Sequence, residues 1–496
     1  MALASSPSRG PEQSLGAVTS GTRSVRAGAG AAAVVLLLLL ACLPAFQNGL
    51  VWDDIYVIEK GDVIFHAENL SKVFSRRTMF ISSNNATLPM AGAQTYRPLT
   101  ASTFFWDAWM SGRSPTSYHV TNFVAHAFAT LLLLLLLRRM NTDAHPALAM
   151  FGALMFGVSP ELAEAHVWIN GRSDLFAGLF AIGAAVVFER ALRHASATIR
   201  NLGIAAGSLI VLAALLSKES AFGIVFVLPW IPAAGATVRA RVMTMAATTV
   251  AAVIYFVMRT HALDGVHASD GAPQMMTALL NAPILLADAA SELLVPVRVS
   301  VRALSEDYAS LGGAARLLIT VSSTATLLVL AIAARRNERL RFGIAWFVVT
   351  LLPAAFVTTT MWPGFGRFLC LPAQGLGIVV VELVRMLIAR LPQTETRALR
   401  LLAIGGILYV SLLAVRLHTY ARVWHDEVTL YRQWIEAQPD RPHGYAWLGM
   451  TYLEHGNERD AYEYLTRAAD RSPRDLRFRA MAEGIEARRD AARTNR

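Results

Sequence analysis

The feature that most constrains this chain is its series of nearly uncharged apolar blocks, each about 17–25 residues long, the length a helix needs to cross about 30 Å of hydrocarbon. Inside lipid, only a helix keeps the whole backbone of such a block hydrogen-bonded within itself. The expected fold class is therefore all-α and polytopic. Composition agrees: apolar residues fill 54% of 496 positions, charged residues 16%, and mean hydropathy is +0.43. Soluble domains carry about 25% charged residues. The formal charge of +10 does not point to nucleic acid. Its basic residues sit mostly in short loops between apolar blocks, where the positive-inside rule accounts for them. Cys42 and Cys370 lie in apolar surroundings and give neither a disulfide framework nor a metal-ligand spacing.

Residues 1–29 are polar and rich in small residues, a composition expected to be disordered, and Arg9, Arg23 and Arg26 favour a cytoplasmic N-terminus. The first span is expected at 30–48. Leu39-Leu40-Ala41-Cys42 faintly resembles a lipoprotein site, but the long leader and the apolar run past Cys42 favour a retained span over a cleaved signal. A polar first outer loop, 49–117, follows. Further spans are expected near 118–137, 147–163, 173–189, 202–217, 221–236, 242–258, 315–334, 342–360, 368–389 and 401–417, about eleven in all. Arginine clusters at 190–200, 239–241, 335–341 and 385–400 then share the inner side. Residues 279–297 are apolar enough to cross but contain Asp288 and Glu292, and crossing would move the 335–341 cluster outside. They are read as an interfacial or re-entrant segment on the outer side. The membrane domain thus runs over 30–421.

From about 422 the chain turns polar. Residues 442–475 fit one 34-residue tetratricopeptide repeat, with Tyr445, Leu448, Gly449, Tyr452, Gly456, Ala461, Leu465, Ala468 and Pro473 at the expected offsets. Residues 424–439 read as half of a preceding repeat and 474–489 as a closing helix. The C-terminal domain is placed at 422–489 and a tail at 490–496. One full repeat is too short for a free solenoid. It either caps the membrane domain or docks a protein partner.

Polar residues near span ends mark function more often than chance, and here they collect on the outer side. Asp53 and Asp54 follow the first span. In an extended segment only one of the two faces a given site, where it could act as general base toward a hydroxyl; the alternative is a solvated turn or cap. Tyr96-Arg97-Pro98 opens a second cluster. It continues with His119, Asn122 and His126, one helical stripe that either bonds between helices or lines a site. A third contains Glu161, Glu164, His166, Trp168, Asn170, Arg172 and Asp174. Its His/Glu mixture could bind a divalent metal, without diagnostic spacing, and Arg172 could simply pair with Asp174. Lys218 lies in Ser217-Lys218-Glu219, as a phosphate contact or an ion-pair partner. Arg367 lies in Gly364-Phe365-Gly366-Arg367, facing outward against the positive-inside tendency, and its guanidinium suits a phosphate. Acids and outward cations around a membrane-level cavity suggest a site for an anionic lipid-linked substrate.

The motifs in this order resemble the transmembrane and tetratricopeptide-repeat-containing O-mannosyltransferases and their bacterial relatives, within the GT-C glycosyltransferase superfamily. The resemblance rests on Phe46 to Ile55, Tyr96-Arg97-Pro98-Leu99-Thr100, Tyr118 to Asn122, Ser159-Pro160-Glu161 to Asp174, Leu216 to Glu219, Gly366 to Pro372, and Trp424 to Tyr431. It implies a GT-C-like catalytic domain and an inverting transferase. The donor would be a sugar, mannose among the candidates, on a polyprenyl phosphate in the outer leaflet. The acceptor would be a hydroxyl of a protein, lipid or glycan. Asp53 matches the general base and Asp54 a positioning acid. Arg97, Lys218 and Arg367 would neutralise the leaving phosphate. His119, Asn122, Glu161, Glu164, His166, Arg172 and Asp174 would shape the sugar or acceptor side. No cofactor is assured, and a divalent metal is an option rather than a requirement. Gly366 stands where many relatives carry an acid, and the repeat region is shorter than in the animal proteins. The Ala- and Arg-rich composition looks bacterial, so the expected location is the inner membrane, with the N-terminus cytoplasmic and the repeat periplasmic. A transporter or flippase for lipid-linked sugars would need charges at mid-depth of the spans, where few occur. A membrane-anchored repeat scaffold would leave the acid pair without a role.

Overall fold

The computed structural model describes residues 28–82, 95–263, 272–296, 299, 312–358, 366–392, 396–473 and 476–494. The leader up to residue 27, the Gly364-Phe365 pair and part of the first outer loop lie outside the described residues. The fold is helical, and no strand occurs among the described residues. In chain order the main helices are α1 (Gly28–Gln47), α2 (Pro98–Ser111), α3 (Pro115–Met140), α4 (Pro146–Gly157), α5 (Pro160–His166), α6 (Arg172–Leu192), α7 (Ala197–Ser217), α8 (Glu219–Trp230), α9 (Val238–Ala262) and α10 (Ala272–Leu294). They continue with α11 (Gly313–Ala334), α12 (Glu338–Thr358), α13 (Cys370–Ile388), α14 (Thr396–Ala421), α15 (Glu427–Ala437), α16 (Pro442–Glu454), α17 (Glu458–Arg471) and α18 (Leu476–Thr494).

Among the described residues, eight helices are long and apolar enough to cross a membrane, or nine when α4 and α5, bent by 44° at Val158–Ser159, count as one. The chain is a multi-pass helical membrane protein. The segment 221–236, expected as a span, does lead from Glu219 at the site end to Ile231 beside Arg241 at the arginine-rich end, but not as one regular helix. It is broken into three short turns that end at Trp230, and Pro229 and Pro232 explain the break, since each removes a backbone donor. Helices α3, α6 and the α13 region are over half buried and form the centre, whereas α11 and α14 are mostly exposed and face the surroundings. Exposed Leu, Ile and Val side chains cover those outer helices, as expected for a lipid-facing surface.

Lipid tails give helices no hydrophobic reason to associate, so close packing depends on small residues. Helices α12 and α13 show this at Gly375. A Cβ there would lie 2.6 Å from the Phe347 backbone nitrogen and 2.9 Å from the Gly343 carbonyl.

The two ends of the bundle differ. At one end Arg139 and Arg193 pair with Glu189, and Arg339 and Arg385 pair with Asp143. The expected inner arginine clusters therefore share one end. The opposite end gathers the acids and cations of the candidate site. The end of α10 meets the middle of α14, where Tyr409 Oη donates to the Leu294 carbonyl at 2.7 Å. Tyr255 of the preceding α9 packs against Tyr96, and the Val299 carbonyl after α10 accepts from Gln433 Nε2.

Helices α16 and α17 form the helix–turn–helix expected over 442–475, flanked by α15 and α18. They pack on the site end rather than standing free: Trp434 of α15 meets Trp52 at 6.0 Å, and Lys60 pairs with Glu454 of α16 at 2.7 Å.

Gly375→Leu should destabilise the bundle by about 1–3 kcal/mol, the usual cost of overpacking. A lowered thermal midpoint of the purified protein in detergent is the readout; an unchanged midpoint would mean that α12 and α13 can part freely.

Candidate active site

The loop after α1 is tied down before it reaches the acids. The Gly49 amide donates to the His425 carbonyl at 2.9 Å. Trp52 then adopts φ 57°, the single left-handed non-glycine residue among those described. Such a conformation is costly for a bulky residue and persists where packing enforces it. Its indole stacks on Trp168 at 5.0 Å and meets Trp434 at 6.0 Å, and Trp168 stacks in turn on Trp424.

The turn gives the two acids different surroundings. Asp54 is buried: Oδ1 accepts from the Asn170 amide at 3.0 Å and its side-chain Nδ2 at 2.6 Å, and Oδ2 accepts from the Val51 amide at 3.3 Å. Burial outweighs these donors and pushes its carboxyl up to about 8. Asp53 is half-buried and makes no hydrogen bond or ion pair with a described residue. Burial pushes its carboxyl up as well, and the Arg367 charge pulls it back. The acids thus divide into one structural and one unengaged.

The three expected phosphate ligands reach the same end of the bundle, but each arrives with a carboxylate. Arg97 makes a bidentate pair with Glu219, Nε at 3.0 Å and Nη2 at 2.6 Å. Burial alone would raise Glu219; Arg97 instead holds it down at about 2. Lys218 meets Asp174 at 2.5 Å, and burial draws its ammonium down to about 8 against the pull of Asp174. Arg367 Nη1 meets Glu164 at 2.6 Å, with its guanidinium 5.2 Å from the Trp168 ring centre. Counting Asp53, the cluster has no surplus of positive charge. Lys218 is only 3% exposed and Arg367 18%, so Arg367 rather than Lys218 can touch a ligand directly. Its Nε and Nη2 donors bond to no described residue. Gly366 explains how Arg367 gets there. A Cβ at that position would fall 2.4 Å from the Glu161 carbonyl, so a side chain there would force the two segments apart.

Several expected substrate contacts are buried within the protein. Arg172 is fully buried and pairs at 2.6 Å with Asp107, not with Asp174, while its Nη2 donates to the Tyr118 carbonyl. The stripe on α3 bonds between segments. His119 Nε2 donates to the Asn48 carbonyl, Asn122 to the Trp168 and Ile169 carbonyls, and His126 to the Gly157 carbonyl. His166 is buried with its ring stacked 4.0 Å from that of His126. Glu161 is buried beside Gly366. No group of three or more His, Cys, Asp or Glu side chains is arranged to hold a metal ion among the described residues. Sequence reasoning missed Asp107 and Glu427. The second accepts the Trp52 amide at 3.3 Å, and its position inside the Trp424 to Tyr431 motif was the available signal.

No family model matches the chain. The chain is similar to protein O-mannosyl-transferases. It is 27% identical over 157 residues to one from Caenorhabditis elegans, covering 31% of this chain and 22% of that protein. Human TMTC1 is 32% identical over 99 residues, 20% of this chain and 11% of the relative, and human TMTC3 is 28% identical over 145 residues, 29% and 15%. The chain thus matches between 11 and 22% of the length of these relatives. Among solved structures, the Archaeoglobus fulgidus oligosaccharyltransferase in complex with Zn and sulfate aligns with a TM-score of 0.40 at 11% identity, over 83% of this chain and 57% of that one.

Two predictions follow from the buried charges. Asp107→Ala strands the Arg172 charge and should cost about 3–5 kcal/mol, much of it recovered by adding Arg172→Leu; thermal unfolding of the three variants measures both. For Asp54 the folded carboxyl holds its proton more tightly than the unfolded one, whose ordinary value is 3.8. Its contribution to stability is complete below the unfolded pKa and is lost as pH rises through about 8. Between about pH 4 and 8, wild type should lose thermal stability relative to Asp54→Asn, with little further loss above about 8; parallel curves would remove the effect.

Proposed function

We propose that this chain is a membrane glycosyltransferase that moves a sugar from a polyprenyl-phosphate-linked donor to an acceptor hydroxyl with inversion. The observation that carries the reading is Asp53: an unengaged carboxylate, raised by burial, beside Arg367 in an aromatic-walled site. The similarity to protein O-mannosyl-transferases supports the class of reaction.

In this reading Asp53 takes the acceptor hydroxyl proton. The hydroxyl oxygen forms its bond to the anomeric carbon as the bond from that carbon to the phosphate oxygen breaks. The electron pair leaves with the polyprenyl phosphate. Arg367 stabilises that developing charge through Nε and Nη2, and Arg97 supports it from the far side. Lys218, buried against Asp174, sets the local field without touching the phosphate. Glu164, buried beside Arg367, orients the guanidinium. Mannose is the donor sugar to try first, with protein, lipid and glycan acceptors.

The arginine-rich end faces the cytoplasm by the positive-inside rule, which puts the site and the C-terminal helices on the outer side, the periplasm of a bacterial inner membrane. The C-terminal helices fit a tetratricopeptide-repeat fold.

Transfer of radiolabelled mannose from polyprenyl-phosphate mannose to membrane acceptors, compared between wild type and Asp53→Asn at matched expression, tests the reading. Loss by at least about 100-fold is expected for removal of a general base. Equal transfer by both would remove Asp53 from the mechanism, and absence of transfer with every donor tried would favour transport or scaffolding.

A further inference from the structure

The strained residue of the site is held from outside the membrane domain. Trp52 directly precedes Asp53, and its left-handed φ of 57° fixes the direction in which the chain leaves toward the carboxylate. A non-glycine residue stays in that region only where its surroundings over-determine it. Part of what determines it comes from the membrane domain, the stack on Trp168. The rest comes from the C-terminal helices. The Trp52 amide donates to Glu427 Oε1 at 3.3 Å, and Trp434 closes on the indole.

Glu427 is itself fixed. Tyr431 Oη donates to the same Oε1 at 3.0 Å, and Thr451 Oγ1 donates to Oε2 at 3.2 Å. One carboxylate therefore joins the base loop, α15 and α16. Half-buried on α15, it pays for its burial with three donors from three segments. Two further ties run in parallel, Gly49 amide to His425 carbonyl and Lys60 to Glu454. A module meant only to dock a partner needs none of these bonds to the acid-bearing turn.

We propose that Glu427 is a positioning residue that, through the Trp52 amide, holds Asp53 in the site, so that the C-terminal helices are part of the catalytic apparatus. The assignment rests on Asp53 being the base. Glu427 touches no reacting atom; its effect passes through the backbone of Trp52. Its removal leaves donor and acceptor contacts in place and lets Asp53 wander, which lowers turnover rather than affinity.

Hydrogen–deuterium exchange of the full chain in detergent reads the loop without needing activity, and transfer from polyprenyl-phosphate mannose reads the chemistry. In Glu427→Ala, the amides of residues 52–54 should exchange at least about 10-fold faster than in wild type. In the same variant kcat should fall by at least about 10-fold with KM for the donor within about 3-fold. Glu427→Gln keeps an oxygen that accepts from the Trp52 amide, so it should stay within about 3-fold of wild type in both readouts. Unchanged exchange at 52–54 in Glu427→Ala, or a Glu427→Gln as impaired as the alanine variant, would overturn the proposal. If alanine also strips protection from 442–471, Glu427→Asp carries the test: it keeps the charge but falls short of the Trp52 amide, and faster exchange confined to 52–54 is expected, normal exchange overturning. Faster exchange in the variants with no transfer by wild type from any donor would retain the positioning and overturn the glycosyltransferase reading instead.

Discussion

A hydrocarbon interior offers no partner to an exposed backbone group or an isolated charge, and the arrangement of this chain follows from that. The spans are apolar through their middles, and the polar groups gather at their ends, where they find one another. At the arginine-rich end Glu189 and Asp143 each hold two arginines. At the site end Glu219, Asp174 and Glu164 each hold one cation. The fully buried Arg172 is tolerable because Asp107 and the Tyr118 carbonyl meet it in directions that suit a guanidinium. A charge this deep is structural unless a ligand can reach it, and none can reach Arg172.

This pairing revises how the site would hold a phosphate. Free outward cations would attract any anion. Here every cation is matched, and selectivity comes from geometry. Only donors that remain unspent can greet a ligand, and those are on the partly exposed arginines rather than on Lys218. Arg367 is the best placed, lying between Trp52, Trp168 and Phe368 with one edge committed to Glu164. Its charge acts on Asp53 without an ion pair forming between them.

Much of this was legible in the residues. The apolar blocks announced the helices, the arginine clusters announced which ends belong together, and the acid pair, Arg97, Lys218 and Arg367 do converge. The partners were not legible, because Arg172 meets Asp107 and Arg367 meets Glu164 across 65 and 203 positions of chain, and no local pattern encodes such a match. The adjacent Asp174 was the obvious mate for Arg172, yet both lie in the first turn of α6 and diverge around it. The block at 221–236 joins the two ends as expected, but in short turns rather than one helix. Its hydropathy is that of a span, but hydropathy does not register that prolines have removed backbone donors. The α3 stripe was visible as a stripe, and only coordinates could reveal that its polar atoms end on carbonyls.

The C-terminal helices show how far a short sequence motif can reach. A helix pair with one further helix on each side buries too little to stand alone, so it needs the membrane domain as much as the membrane domain uses it. The interface settles both needs with the same groups. Trp424 and Trp434 bury their rings against Trp168 and Trp52, which supplies the area the small domain lacks, and the same rings press Trp52 into the backbone geometry that precedes Asp53. Stability of the C-terminal helices and placement of the carboxylate are therefore one interaction seen from two sides. A change that loosens α15 is bound to be felt at Asp53 even when every residue that touches a substrate is left intact.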